Sequence, residues 1–371
     1  MTNKERYVEW AATQEFLPIS MQPWWLDAVC AGKEWNVLLA EDENKNILGM
    51  MPYLLRKRLW YKYIVMPVLS QAGGIWVTPE VTGDRWKVAE VCRQIKEQLD
   101  GMHLAYYYQQ YIPGSLCVDA LKALGFKTKE RITYRVEDLS DLDALIASFS
   151  KNKRRQLQKA LSLHAERKMD IEEFYRFHKR CLEFRKRQCS YTREFLLVLE
   201  RKARRLKQCE IISIHNADGQ PYAAAFLVWD SRHLYYLIPT YDEDFKDSGA
   251  SALLVLEAMK LAREKHVHFD FEGSMDRGVA NHYKQFGSTP VTYFAVEKYY
   301  KPLFRQKFRG TQLGIHLQEH QSNFALRGEE GLTATLTYWM VAHQTKVHCH
   351  LMKREKPFHT SKLAVFKRNS K

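Results

Sequence analysis

The chain has 371 residues and carries 57 Lys and Arg against 43 Asp and Glu, a formal charge of +14. Hydrophobic residues make up 46% and aromatic residues 13%, which excludes a largely disordered chain, and the length exceeds what one ordinary core fills. No run approaches the roughly 18 apolar residues of a membrane helix, and the N-terminus MTNKERYVEW lacks the apolar core of a signal peptide. A soluble, cytoplasmic protein without integral membrane contact is expected.

Residues 37–54, VLLAEDENKNILGMMPYL, read as two apolar strands joined by a polar hairpin turn. A third strand follows around Tyr63, Ile64 and Val65, then a helix over about 85–99 and a strand over 104–110, LAYYYQQ. The helix ALKALGF at 120–126 and the strand TYRV at 133–136 close this half. The segment EDLSD at 137–141 then leads into an amphipathic helix, which sets a domain boundary after residue 137.

The next segment is strongly basic. Residues 151–207 hold 19 Lys and Arg against 7 acids, and residues 301–371 hold 13 against 4, so the charge is concentrated in two stretches and favours an anionic partner. Within SFSKNKRRQLQKAL at 148–161, Leu157, Ala160 and Leu161 form an apolar face, which presents Lys151, Lys153, Arg154, Arg155 and Lys159 in a fixed direction. Arg176, Lys179, Arg180, Arg185, Lys186 and Arg187 enlarge this patch if their helix packs alongside.

The first half's pattern then recurs. Residues 211–228, IISIHNADGQPYAAAFLV, form a second hairpin, Leu234 to Leu237 a third strand, about 250–264 a helix, and HFDFEG at 268–273 a strand. NHYKQFG at 281–287 and YFAV at 293–296 complete the second copy. A spacing of this size marks a domain-sized duplication. The expected fold class is therefore α/β with mixed α+β sheets, in two tandem domains at 1–137 and 138–310. Residues 311–371 lose the pattern and read as an irregular basic tail. Its His343, His348, Cys349 and His350 match no standard zinc spacing, and the seven scattered cysteines contain no CxxC pair, so neither a metal nor a disulfide framework is expected.

The stretch HFDFEGSMDRGVANHYKQFG at 268–287 concentrates the chemistry. His268, Asp270 and Glu272 alternate with Val267, Phe269 and Phe271, so Asp270 and Glu272 are expected on one side of a strand. Gly273 breaks the strand, Ser274 and Asp276 suit turn and cap positions, and Val279, Ala280, Tyr283 and Phe286 share a helical face. Either acid fits a base or a site for a cationic acceptor, with a structural ion pair as the plainer reading of Glu272 and turn capping that of Asp270.

These motifs resemble the GNAT N-acetyltransferase superfamily. Lys246, Asp247, Ser248, Gly249, Ala250 and Ser251 precede the helix ALLVLEAMKLA where that superfamily holds an acyl-carrier pyrophosphate, although Lys246 replaces the usual Arg or Gln and Ser251 the usual Gly or Ala. A helix N-terminus with free amides suits a phosphate there. FDFEGS followed by Tyr-x-x-Phe-Gly, the basic opening helix and Tyr191-Thr192 before an apolar helix are similar to the Fem-like branch, with its two tandem GNAT domains and its BioF2-like acetyltransferases.

The resemblance implies an N-acyltransferase that moves an acyl group from an activated carrier, acyl-CoA, to a small-molecule or peptide amine. It implies Glu272 or Asp270 as base, Tyr283 as the acid that protonates the leaving group, and Lys246, Ser248, Gly249, Ala250 and Ser251 around the carrier. Lys151, Arg154, Arg155 and Tyr191 would bind substrate, and no covalent cofactor is required. The first domain has Gln109 and Leu121 at the matching positions, which assigns catalysis to the second. Two alternatives stay open: an aminoacyl-tRNA-dependent Fem-type ligase acting on a cell-wall precursor, and an inactive anion- or RNA-binding module.

Overall fold

The duplicated order of elements is carried into three dimensions strand by strand. A computed structural model of the protein describes residues 1–30, 34–273 and 275–301, so the tail with His343, His348, Cys349 and His350, residues 302–310 and Ser274 lie outside the described residues. The first half contains α1 (Asn3–Ala12), α2 (Pro23–Val29), β1 (Trp35–Glu41), β2 (Ile47–Arg58), β3 (Tyr61–Val65) and a short β4 (Trp76–Val77). It continues through α3 (Pro79–Thr82), α4 (Arg85–Gly101), β5 (Tyr106–Tyr111), α5 (Cys117–Ala123) and β6 (Lys127–Val136). The second half begins with α6 (Leu142–Ser148), α7 (Lys151–Lys159), β7 (His164–Glu166), α8 (Ile171–Phe184) and α9 (Arg193–Arg205). There follow β8 (Cys209–His215), β9 (Pro221–Trp229), β10 (His233–Tyr241), α10 (Ala250–Glu264), β11 (His268–Asp270), α11 (Arg277–Lys284) and β12 (Thr289–Tyr299).

The architecture is the expected mixed α/β one. All the described strands join a single 12-stranded sheet in the order β1-β2-β3-β5-β12-β6-β11-β10-β9-β8-β7, with β4 paired to β2. That order contains an exchange. β12, which ends the second half, lies antiparallel to β5 of the first, with Phe294 opposite Tyr111 and Tyr299 opposite Tyr106. β6, which ends the first half, lies beside β11 of the second, with Val136 opposite Phe269 and Arg135 opposite Asp270. The exchanged strands also pair with each other from Thr289 opposite Arg135 to Glu297 opposite Lys127. All described residues accordingly fall in one compact unit.

The sheet is buried on both faces, and β9 records this residue by residue. Ala224, Phe226 and Val228 enter a core with Trp25, Phe174, Leu196 and Leu199 from α2, α8 and α9. Ala223, Ala225, Leu227 and Trp229 point the other way, into a core with Leu254, Val255 and Met259 of α10 and Tyr283 and Phe286 beside α11. Period-two side-chain alternation on a doubly covered strand requires an almost continuous apolar run, which PYAAAFLVW supplies. Side-chain caps set the helix starts: Asp84, Asp141, Ser150, Asp170, Thr192 and Asp276 each accept from first-turn amides.

Candidate active site

β11 is shorter than the alternation of HFDFEG predicts. It ends at Asp270, because Glu272 has φ +61° and Gly273 φ +71°, and two consecutive left-handed residues cannot continue a strand. Asp270 and Glu272 are therefore not alternate residues on one strand face. Instead the Glu272 amide donates to Asp270 Oδ1 at 2.8 Å. Gly273 is required by space as well as by φ, since a Cβ there would stand 2.5 Å from the Ile132 carbonyl oxygen.

Asp270 is fully buried and held from β6. Thr133 Oγ1 donates to Oδ1 at 2.5 Å and Arg135 Nε donates to Oδ2 at 2.7 Å. With three donors, this carboxylate is committed to holding β6 and the turn together. Glu272 differs: burial, and then the charge of Asp270, push its carboxyl well above the ordinary range. Its carbonyl accepts from Gln71 Nε2, which ties the turn to the first half. An acid with a raised pKa is suited to take a proton from an amine near neutral pH.

After Asp276 caps α11, Tyr283 returns to the same strand end. Its ring stacks on Phe271 with centroids 4.3 Å apart, and burial, followed by the charges of Glu272 and Asp270, pushes the phenol up so that it keeps its proton. β10 and β11 run parallel from His233 opposite His268 to Tyr235 opposite Asp270, after which β10 continues to Tyr241 without β11 beside it. Glu272 and Tyr283 thus lie at the end of β11, where β10 runs on alone. On the far side of Asp270 a cleft of about 160 Å³ is lined by both halves, including Phe16, Gln71, Arg135, His233 and Tyr293. His233 Nδ1 makes no hydrogen bond and stands 4.0 Å from Asp230 Oδ1, and burial, then Arg135, lowers the imidazole to about 4, so it is neutral at pH 7.

Residues 127–285, which include β10, β11 and Tyr283, match the model of the acetyltransferase (GNAT) domain. The segment from β6 to α11 is thus similar to a GNAT acetyltransferase domain. The fold of the chain is Fem-like: the structure of FemX superposes with a TM-score of 0.62 at 14% identity, covering 83% of this chain and 98% of FemX. A conserved protein of unknown function from Bacteroides thetaiotaomicron VPI-5482 gives 0.52 at 13% identity, over 80% of this chain and 97% of that one. L-PGS from Bacillus licheniformis gives 0.50 at 10%, over 85% and 96%. No curated protein matches the sequence.

In this GNAT fold the loop 246–251 leads into α10 as expected, with Gly249 at φ +86°. Its surroundings are more crowded than the sequence implies. A Cβ on Gly249 would overlap the Gln156 carbonyl oxygen, so the C-terminal end of α7 abuts the N-terminal turn of α10. Ser248 Oγ is occupied locally, donating to the Phe245 carbonyl at 2.6 Å and accepting from Ala250 N at 3.2 Å. Lys246 is exposed and 3.8 Å from Glu243. Ser251 is half-buried in the first turn.

The basic helix α7 is thus brought to the loop 246–251, with Lys151, Arg154 and Arg155 exposed and Arg154 donating to the Ala147 carbonyl at 2.7 Å. α8 does not pack alongside α7, yet Arg180 reaches Asp242 at 3.2 Å and Arg185 reaches Glu243, the partner of Lys246, at 3.2 Å. α8 packs on the opposite face of the sheet, where Arg185 donates to the Tyr241 carbonyl at 2.6 Å, at the end of the parted β10. Tyr191 is on that face too, buried, with its hydroxyl 3.1 Å from His178 Nε2, and is not brought to Tyr283.

Sequence reasoning passed over one pair altogether. Lys153 was grouped with its charged neighbours, yet it is only 3% exposed. Its ammonium donates to Gln156 Oε1 at 2.9 Å and meets His282 Nδ1 at 3.1 Å, next to Tyr283. Burial lowers the Lys153 amine to about 8, and burial together with Lys153 lowers His282 to about 3.

Proposed function

We propose that the protein is an N-acyltransferase whose second half, taken as 138–310 with β6 recruited from the first, carries the reaction. The observation that carries this reading is the placement of Glu272 and of Tyr283, stacked on Phe271, at the end of β11 where β10 runs on alone. The acceptor amine attacks the acyl carbonyl, its nitrogen–carbonyl bond forms and its proton passes to the Glu272 carboxylate. The tetrahedral adduct then collapses, the bond to the carrier breaks, and the departing thiolate takes the Tyr283 proton, which Glu272 returns. Asp270 fixes the turn that presents Glu272 and is a positioning residue. Lys246, Ser248, Gly249, Ala250 and Ser251 border the carrier, for which acyl-CoA is the proposed form. The acceptor side is the cleft against Arg135 and His233. The first half serves as scaffold, since Gln109 is spent on the Pro52 carbonyl at 2.8 Å and Leu121 is a core residue.

The test is thiol release from acetyl-CoA with a panel of amines. Glu272→Gln and Tyr283→Phe should each lower kcat by about a hundredfold or more, the usual scale of lost acid–base assistance. Unchanged turnover in both variants would remove these residues from the reaction.

A second reading is supported by the crowding at Gly249 and by the exposed lysine and arginines of α7 beside it: an aminoacyl-tRNA as carrier. That reading expects binding of charged tRNA that weakens steeply with salt. Salt-tolerant binding of acetyl-CoA with no response to tRNA would discard it.

A further inference from the structure

The β2–β3 hairpin is the least economical piece of the fold on local terms. Arg58 pairs with Tyr61, so Leu59 and Trp60 form a two-residue turn, and each is 67% exposed. Leu59 stands at φ +55°, a region that hairpin turns normally give to Gly or Asn and that a bulky residue rarely adopts. Just behind the tip, Lys57 lies directly opposite Lys62, and both are exposed. Like charges in register across two strands repel. Arg56 and Arg58 flank them on β2, and the Lys301 ammonium stands 5.7 Å over the Tyr61 ring. Residues 44–79 contain no Asp or Glu.

We propose that this hairpin tip docks the protein on an anionic lipid surface. One partner offsets both the apolar exposure and the charge repulsion. A bilayer interface accepts the indole of Trp60 and the side chain of Leu59, as interfacial tryptophans and shallow apolar anchors do. The negative headgroups behind it neutralise Lys57 and Lys62, each cation adding to the attraction within a Debye length. Insertion of two side chains is shallow, so the association is reversible and needs the charge as well as the apolar tip. Leu59 favours this surface over a nucleic-acid site: of the two apex side chains only the Trp60 indole offers a stacking plane for a base, whereas both suit the interface. The inference is independent of the acyl-transfer reading, because it uses no residue of the 268–287 site.

The experiment is co-sedimentation of the full chain with vesicles of phosphatidylcholine alone and of phosphatidylcholine with phosphatidylglycerol, alongside a single-stranded RNA oligonucleotide. Binding is expected only to the phosphatidylglycerol vesicles, falling as salt rises. The double variant Leu59→Ser, Trp60→Ser should lower the partition coefficient about tenfold, and Lys57→Gln, Lys62→Gln by a similar factor. Both variants are at exposed positions, so unchanged far-UV dichroism and melting will certify the fold. Three results overturn the proposal: no vesicle binding by the parent protein, equal binding by parent and both variants, or a loss confined to the RNA oligonucleotide.

Discussion

Glu272 carries two local costs at one position, a left-handed backbone and a carboxyl pushed above its ordinary range by burial and by Asp270. Because the folded form holds the proton more tightly than the unfolded chain, Glu272 subtracts stability as pH rises above the ordinary carboxylate value, and subtracts nothing well below it. Glu272→Gln keeps the shape without the ionisation. It should therefore melt higher than the parent at about pH 8 and equally at about pH 4, even though its turnover is lost; a variant that melts lower at both values would mean that the carboxylate is a net structural partner. Lys153 offers the complementary sign. Its amine is lowered to about 8, so the unfolded chain binds the proton more tightly and stability rises with pH from about 8 toward the ordinary lysine range. Urea midpoints of the parent should climb across that window, whereas those of Lys153→Met should stay flat; parallel curves would show that the ammonium is well solvated.

At the scale of elements, the helix α10 depends on a contact that its own sequence does not announce. Gly249 faces the Gln156 carbonyl of α7 at φ +86°, whereas Gly219, at φ +78°, faces open space. Both Gly→Ala substitutions meet the left-handed penalty of about 1–2 kcal/mol, but only Gly249→Ala must also part α7 from α10. Chemical denaturation should place Gly249→Ala at least about 2 kcal/mol below Gly219→Ala, in line with large effects arising from steric conflict in packed sites; equal losses would mean that α7 yields freely. The elements themselves were legible because hairpin turns, apolar alternation and caps are local: β9, α4 and α10 fall where PYAAAFLVW, Asp84 and the run from Ala250 put them. β11 was misjudged because alternation continues through Glu272 in sequence while the backbone turns there. Lys153 was misjudged although a signal existed: it stands four residues before Leu157, on the inward face, and residue type alone outweighed that register. The contribution of Gln71 and Arg135 to the site had no local signal, because it arises from pairing across the sheet.

The exchange of β6 and β12 makes the two sequence copies interdependent. Cutting the chain after residue 137 leaves β5 without β12 and exposes the edge Tyr106–Tyr111, a row of unpaired backbone groups in a strand that is otherwise wholly buried. The other fragment fares worse at its centre. Without β6, Asp270 loses both Thr133 and Arg135, leaving a buried carboxylate with only the Glu272 amide. Losing the partner of a buried ion pair costs about 3–5 kcal/mol, a large share of the stability of a domain of this size. Fragments 1–137 and 138–371 expressed separately should therefore aggregate, and their co-expression should recover soluble complex. A fragment 127–371 restores β6 and both partners of Asp270, so it should be markedly more soluble than 138–371, with the residual edge of β12 as its remaining defect. If 138–371 alone unfolds cooperatively and stays monomeric, the exchanged strand is dispensable and the second half is a domain in its own right.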